Sequence, residues 1–366
     1  MSGLVVHEWI EKSGGSEKVV EQFFDVFPDA DLFVLWDDAP GRFTTVPSES
    51  WLSATPLRRH KPLALPFMIP TWRYVPNRRA YDWILASSHL FAHHARVRSQ
   101  PDIPKYVYVH SPARYIWAPE LDQRGKVLSA RVAAPGLKMV DRARAQEATA
   151  IAANSKFVSE RIQNTWEREA AVIYPPVDVE RICQVEDWRE RLSSEEERIV
   201  SELPATYVAG ISRFVNYKRL DLVIETAERL DVPAVIAGRG PNESSLRERA
   251  AEAAIPVHFV ISPSDALMYS VLSGAAAFVF PAVEDFGILP VEAQALGTPV
   301  VTGPYGGQTE TLLNHVTGVV AEDFTPRALA ESTAIAMGMG RIRATEHVAQ
   351  FSRNEFNRAV TRFVSS

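Results

Sequence analysis

Short apolar runs alternate with amphipathic stretches along the whole chain. LVVHEW at 4–9 gives way to a segment from Ser16 to Phe27 with helical periodicity, and then to ADLFVLW at 30–36. The same alternation carries YDWILAS, KYVYVH and TAIAAN, ending at residue 154. Apolar runs of this length, bounded by turn signals and separated by helical patterns, mark strands buried on both faces of a parallel sheet. The first half is therefore predicted to be α/β. VIYPPVDVERI, at 172–182, ends the series with two prolines, and the charged stretch WRERLSSEEERIVSE follows. That composition reads as a linker, which sets a first domain at 1–180 and a second at 181–353.

The second half restarts the alternation. ATYVAGI, PAVIAGR, VHFV, AAAFVFPA and TPVVTG read as strands. Between them KRLDLVIETAERL, Glu243 to Ala254, Ser264 to Ser273 and LPVEAQALG read as helices. The fold class is α/β: two doubly wound Rossmann-like domains facing across a cleft. The last helix, about 354–366, is expected to return to the first domain.

A chain of 366 residues with 46% apolar and 23% charged residues has material for two cores, which excludes disorder and fibre. The net charge of −6 gives no general attraction to nucleic acid, so any anion must be met locally. One cysteine, Cys183, rules out an internal disulfide and a cysteine-rich zinc cluster, and favours a reducing compartment. No run of about 18 apolar residues is present, and the start carries no basic stretch before an apolar one. A cytoplasmic protein is the expectation. One segment qualifies it: Trp51 to Tyr81 holds Arg58, Arg59, Lys61, Arg73, Arg78 and Arg79 and no acidic residue. Interleaved with PLALPFMIPTW, it reads either as a proline-rich connection that packs, or as a surface for anionic membrane or a lipid-linked acceptor, from Arg58 to Arg79.

The candidate chemistry concentrates in FPAVEDFGILPVEAQALGTPVV. A buried strand runs into a loop with Gly287, and a helix begins near Ile288 or Leu289 with Pro290 in its first turn, the place proline prefers. Glu284 falls in the loop and Glu292 early in the helix. Bare amides at a helix start suit a phosphate, and carboxylates beside it accept from neutral hydroxyls. Arg213 and Lys218, in GISRFVNYKRLDL, follow the first strand of the second domain, where cations neutralise a diphosphate. Gly14, Gly15 and Ser16 open a helix after the first strand and form either a phosphate-approaching loop or a tight turn. His110 ends KYVYVH at the carboxyl end of a strand. The adjacent His93 and His94 are set aside as metal ligands, because neighbours on a helix diverge by about 100 degrees. No Asp-x-Asp triplet is present either.

With GGSEKVV, YVHSPARYIW, SRFVNYK and EDFGILPVE together, the chain resembles a retaining family 4 glycosyltransferase of the two-domain GT-B arrangement over nearly its whole length. SSHLFAHHA, VHSPARYIWAP, IAANSKFV and VIYPPVDVERI make it most similar to bacterial GDP-mannose-dependent mannosyltransferases of polysaccharide or glycolipid assembly. The stretch between Arg181 and Ala205 is unlike the family pattern. The resemblance implies that Arg213 and Lys218 hold the donor diphosphate, while amides of Gly287, Ile288 and Leu289 meet phosphate and sugar. It implies that Glu284 binds the sugar hydroxyls, Glu292 the ribose, and His110 the transferred sugar, with the base near Arg239 and Val260. Gly14, Gly15 and Ser16 would approach the donor phosphate. The expected enzyme is a metal-independent, retaining hexosyltransferase without cofactor. Its substrates would be a nucleotide-sugar donor, GDP-mannose favoured over a UDP-sugar, and a glycan or lipid-linked acceptor. A nucleotide-sugar epimerase and a non-catalytic sugar-nucleotide binding protein are the rivals. A cytoplasmic place, peripheral on the inner face of the membrane, follows from the basic segment.

Overall fold

The computed structural model describes residues 2–12, 14–117 and 128–365, the side chains of 128–133 excepted. The chain divides into two compact units, one of residues 1–176 and 353–366, the other of residues 177–352.

The first unit holds a seven-stranded parallel sheet in the order β3-β2-β1-β4-β5-β6-β7. Its strands are β1 (Gly3–His7), β2 (Asp31–Val34), β3 (Ser48–Glu49), β4 (Trp83–Ser88), β5 (Lys105–Val109), β6 (Ala150–Ala153) and β7 (Ala171–Val172). Side chains alternate between two cores, as the period of a strand requires. Leu4, Val6, Ile84, Ala86, Val107 and Val109 fill one face. Val5, Trp83, Leu85, Tyr106 and Tyr108 fill the other. The C-terminal helix Arg353–Val364 buries Phe356, Val360, Phe363 and Val364 on this second face. Phe356 stacks on Phe23 of the helix Gly15–Val26, with ring centres 5.8 Å apart.

The second unit holds a six-stranded parallel sheet, β10-β9-β8-β11-β12-β13. These are β8 (Val208–Ile211), β9 (Ala234–Gly238), β10 (Val257–Ile261), β11 (Ala277–Phe280), β12 (Val300–Thr302) and β13 (Gly318–Val320). Ala209, Ile211, Phe278 and Phe280 face one core and Val208, Ile236 and Val279 the other. Helices cover both faces of both sheets, so each unit is doubly wound, the expected fold class.

The charged stretch after the prolines is not a linker. The chain enters the second unit at Val177, whose N–H donates to the carbonyl of Phe351 at 2.8 Å, next to where it leaves. Val179–Gln184 is already a helix of that unit. Trp188 is buried there, 4.7 Å from the ring of Tyr269. Ser193 and Glu196 form a capping box at the start of the helix Ser194–Ser201. The stretch is polar because this short helix buries none of its residues, not because it is unstructured.

In a doubly wound sheet, ligands bind at the carboxyl ends of strands where the strand order reverses. Those places are β1/β4 in the first unit and β8/β11 in the second.

Candidate functional site

At the β8/β11 switch point two loops meet. After β8 the chain forms a 3₁₀ turn, Asn216–Lys218, and then the helix Leu220–Leu230. After β11 it forms the loop holding Glu284, and then the helix Ile288–Ala295 with Gly287 as its N-cap. Lys218 Nζ donates to Glu284 Oε1 at 2.5 Å, and the two side chains are 11% and 19% exposed. The ammonium also lies over the rings of Tyr217 and Phe280, at 5.3 and 5.5 Å. Arg213 is exposed, its Nη2 donating to the Tyr217 hydroxyl at 2.8 Å.

Glycines let these loops approach one another. A Cβ on Gly238 (φ 138°) would stand 1.9 Å from the carbonyl oxygen of Ser212, which fastens the loop after β9 to the one that carries Arg213. Gly287 has φ 114°, and a Cβ there would meet that of Gln308 at 2.8 Å. Gln308 is fully buried, and its Oε1 accepts from the Glu284 amide at 2.9 Å. The amide of Gly307 donates to the Glu284 carbonyl at 2.7 Å. Glu284 is thus clamped through its backbone on both sides. Glu292, 6% exposed, accepts from the Tyr269 hydroxyl at 3.1 Å. Burial and this carboxylate push the Tyr269 hydroxyl far above its ordinary range, so it stays a donor. No described residue accepts from the first-turn amides of Ile288 and Leu289, which leaves the positive end of the helix bare beside the Lys218–Glu284 pair. The arrangement offers donors to an anion and carboxylates to hydroxyls within one loop system.

Residues 193–355 match the family described as Glycosyl transferases group 1. The second unit carries a group 1 glycosyltransferase domain. A GDP-mannose-dependent monoacylated alpha-(1-6)-phosphatidylinositol monomannoside mannosyltransferase of Corynebacterium glutamicum is 35% identical over 34% of this chain and 36% of its own length. A GDP-mannose-dependent alpha-(1-6)-phosphatidylinositol monomannoside mannosyltransferase of Mycolicibacterium smegmatis is 30% identical over 46% of this chain and 47% of its own. The chain thus spans between about a third and a half of the curated relatives it matches. HepE of Anabaena, solved with UDP, shares the fold over 100% of both chains at a TM-score of 0.71 and 17% identity.

The remaining candidate residues of the group 1 domain part company. Arg239 is exposed, and its side chain has no described partner. Val260 is 2% exposed within the core that also holds Val235 and Ala237. The Val260 side chain is a core residue of β10, so a base near it would meet backbone, and the exposed side chain there is Ile261.

In the first unit the β1/β4 switch point is lined by imidazoles. His110 follows β5, and its N–H donates to the Ser88 carbonyl at 2.8 Å. Its ring lies 6.5 Å from that of His7 and 6.4 Å from that of His89. Burial, with these two neighbours, holds the His110 imidazole well below its ordinary range. Glu8 is fully buried; its Oε1 accepts from the amides of His89, Leu90 and Ala92 at 3.1, 2.8 and 3.0 Å. Its Oε2 lies 3.2 Å from His89 Nδ1. His7, Glu8 and His89 bring donor atoms within 4.8 Å of one another, a composition that could hold a cation.

Two expectations for this unit are corrected. Gly14, Gly15 and Ser16 do open the helix, but they do not leave a phosphate cradle. Glu17 turns back over them, its carboxylate accepting from the Glu11 amide and the Ser16 hydroxyl, both at 3.0 Å. A Cβ on Gly14 would come within 2.0 Å of Glu17 Oε2, so a carboxylate already sits where a phosphate would approach. His93 and His94 do not diverge either. They lie in a single 3₁₀ turn, and their Nε2 atoms stand 3.2 and 3.1 Å from one oxygen of Asp141. The other oxygen accepts from the indoles of Trp117 and Trp166, each at 2.7 Å. His93, His94 and Asp141 are fully buried, and with the two indoles the cluster joins a turn to three helices.

Sequence reasoning missed Gln308, Gly307, Tyr269 and Asp141. The Gly306-Gly307 pair was a legible signal for the first two. The other two are ordinary helix residues until folding gives them partners.

Proposed function

We propose that the protein transfers a hexosyl group, most favourably mannose from GDP-mannose, with retention, onto a hydroxyl of a glycan or lipid-linked acceptor. The observation that carries this reading is the Lys218–Glu284 pair beside the bare amides of Ile288 and Leu289. Without donor the opposite charges cancel each other. A nucleoside-diphosphate sugar exchanges both partners: a diphosphate oxygen replaces the carboxylate at Lys218, and sugar hydroxyls replace the ammonium at Glu284. Arg213 and the helix start add positive charge where the diphosphate gains negative charge on leaving. With no carboxylate assigned as nucleophile, the leaving diphosphate takes the acceptor's proton on the same face of the sugar. Glu292, oriented by Tyr269, accepts from the ribose hydroxyls. Arg239 would meet the base edge, a reading supported by its exposed guanidinium, which suits guanine or uracil. The curated relatives named for GDP-mannose favour the first. A UDP-sugar is the second reading, because the fold shared with HepE accommodates UDP.

Transfer is proposed to need no metal, since fixed cations stand at the diphosphate. Loss of activity in a chelator would turn attention to His7, Glu8 and His89. The membrane reading of Arg58 to Arg79 changes in kind. Arg58 pairs with Asp38, Lys61 with Glu11, Arg73 with Glu147 and Arg79 with Asp31, which leaves the guanidinium groups of Arg59 and Arg78 without a described partner. Beside the exposed Arg59, Arg78 and Arg79, the segment offers apolar side chains outward: Trp51, Leu63, Phe67 and Tyr74 are exposed. No described helix is long and apolar enough to cross a membrane. Surface adsorption of a lipid-linked acceptor would draw on these apolar side chains as well as on the remaining charge.

The direct test is turnover. Lys218→Ala and Glu284→Ala should each cut hexosyl transfer about a hundredfold or more, a barrier rise of about 2.7 kcal/mol, while the protein stays folded. Near-normal transfer in either variant contradicts the reading.

A further inference from the structure

His110 is one end of a hydrogen-bonded chain that runs across neighbouring strands of the first sheet. Its Nε2 lies 2.8 Å from Ser87 Oγ, and the same oxygen lies 3.0 Å from His7 Nδ1. His7 Nδ1 also stands 3.3 Å from the Ser87 carbonyl oxygen. Heavy-atom positions do not reveal which ring nitrogen carries a proton, but the partners decide it. A carbonyl oxygen only accepts, so His7 Nδ1 carries the hydrogen. The Ser87 hydroxyl then accepts from His7, and its single hydrogen goes to His110 Nε2. An imidazole that accepts at Nε2 carries its proton on Nδ1. We propose that Ser87 and His7 are positioning residues that lock His110 as the Nδ1–H tautomer, so that it offers its ligand a hydrogen-bond donor and not a base.

Two further observations agree. His7 Nε2 is buried without a partner, as the lone pair of an Nδ1–H ring would be. An unpaired buried acceptor is better tolerated than an unpaired buried N–H. His110 Nδ1 has no described partner and is not among the buried unpaired atoms, so it is the nitrogen open to a ligand. The consequence for the site rests on the proposed reading of His110 as the sugar-facing histidine. There an Nδ1–H donates to a hydroxyl or ring oxygen of a bound sugar and has no lone pair at that nitrogen with which to act as a base. The orienting logic is that of the outer partners of metal-bound histidines, whose loss typically costs about 10- to 100-fold.

Long-range 1H–15N correlation on histidine-labelled full-length protein reads the tautomer directly, with the His110 signals assigned by their loss in His110→Asn. The expected spectrum has His110 Nδ1 protonated and Nε2 bare. In Ser87→Ala the two tautomers should mix, and turnover should fall about tenfold at nearly unchanged donor KM. His110→Asn, which keeps an N–H near the Nδ1 position, should retain more transfer than His110→Gln. A wild-type spectrum with Nε2 protonated overturns the inference whatever the variants do, as does an unchanged tautomer in a folded Ser87→Ala. A protein with the expected tautomer but no hexosyl transfer loses the proposed function and keeps the tautomer assignment. An active protein with the opposite tautomer does the reverse.

Discussion

The carboxyl ends of the two sheets share a topology and differ in charge. In the first unit the helix start after β1 is filled by its own Glu17, and the switch point is lined by imidazoles, of which burial holds His7 and His110 below their ordinary range. In the second unit the helix start after β11 is bare, with a lysine against its loop. On the proposed reading a diphosphate takes the place of Glu284 at Lys218 and meets bare amides in the second unit, whereas in the first it would have to displace Glu17 from the helix start itself. The switch-point rule says where ligands bind on such sheets. The side chains that fold back onto the helix starts decide which sheet takes the anion.

The largest expected effect tests whether the first site depends on its anchor. Asp141→Ala removes a buried carboxylate held by two indoles and His94. It should cost about 3–5 kcal/mol of stability, read by denaturant unfolding. Nucleotide binding by the second unit should survive wherever the variant remains folded. A loss under about 1 kcal/mol would mean that the anchor is incidental.

A smaller effect is expected at the bare helix start. Gly287→Ala places a methyl against Gln308 in a left-handed conformation, with about 1–3 kcal/mol of strain. If Gln308 shifts in response, Glu284 loses its backbone clamp. Turnover should drop about tenfold while the histidine spectrum of the first unit stays as in the wild type. Unchanged turnover would separate the helix start from the chemistry.

The mildest perturbation is pH. Burial lowers His94 to about 4, and it holds His7 and His110 below their ordinary value. In the unfolded chain these rings take protons near pH 6.5, whereas in the folded one they resist. Stability is therefore lost as pH falls from about 6.5 towards 4. Burial alone would raise Glu8 and Asp141, but their neighbours, the amides of Leu90 and Ala92 at Glu8 and the hydrogen-bonding rings of His93 and His94 at Asp141 among them, hold both low, which adds loss below about 4.5. The melting midpoint should be lower at pH 5 than at pH 7, and His94→Gln should lessen the difference. An unchanged midpoint would contradict buried, neutral imidazoles.

Much of the fold was legible because both sheets are covered on both faces, so each strand reads as a short apolar run. The start of the helix Ile288–Ala295 was legible from Gly287 and Pro290. What escaped was set by long-range pairing. His7 and Ser87 meet across 80 residues, and neither has a local pattern to announce it. The basic segment looked unneutralised because its acidic partners, Glu11, Asp31, Asp38 and Glu147, lie outside it. The resemblance named Val260 by its place in the chain, which does not show that its side chain turns into the core.

The most direct test of the contrast between the two sites is calorimetric titration of the full chain with GDP, UDP and their sugar conjugates, without metal and then with magnesium. The account predicts metal-free binding of a nucleoside diphosphate, GDP before UDP, abolished by Lys218→Ala and unaffected by Glu17→Gln. Binding that survives Lys218→Ala, or that strengthens when the Glu17 charge is removed, would place the anion in the first unit and contradict it.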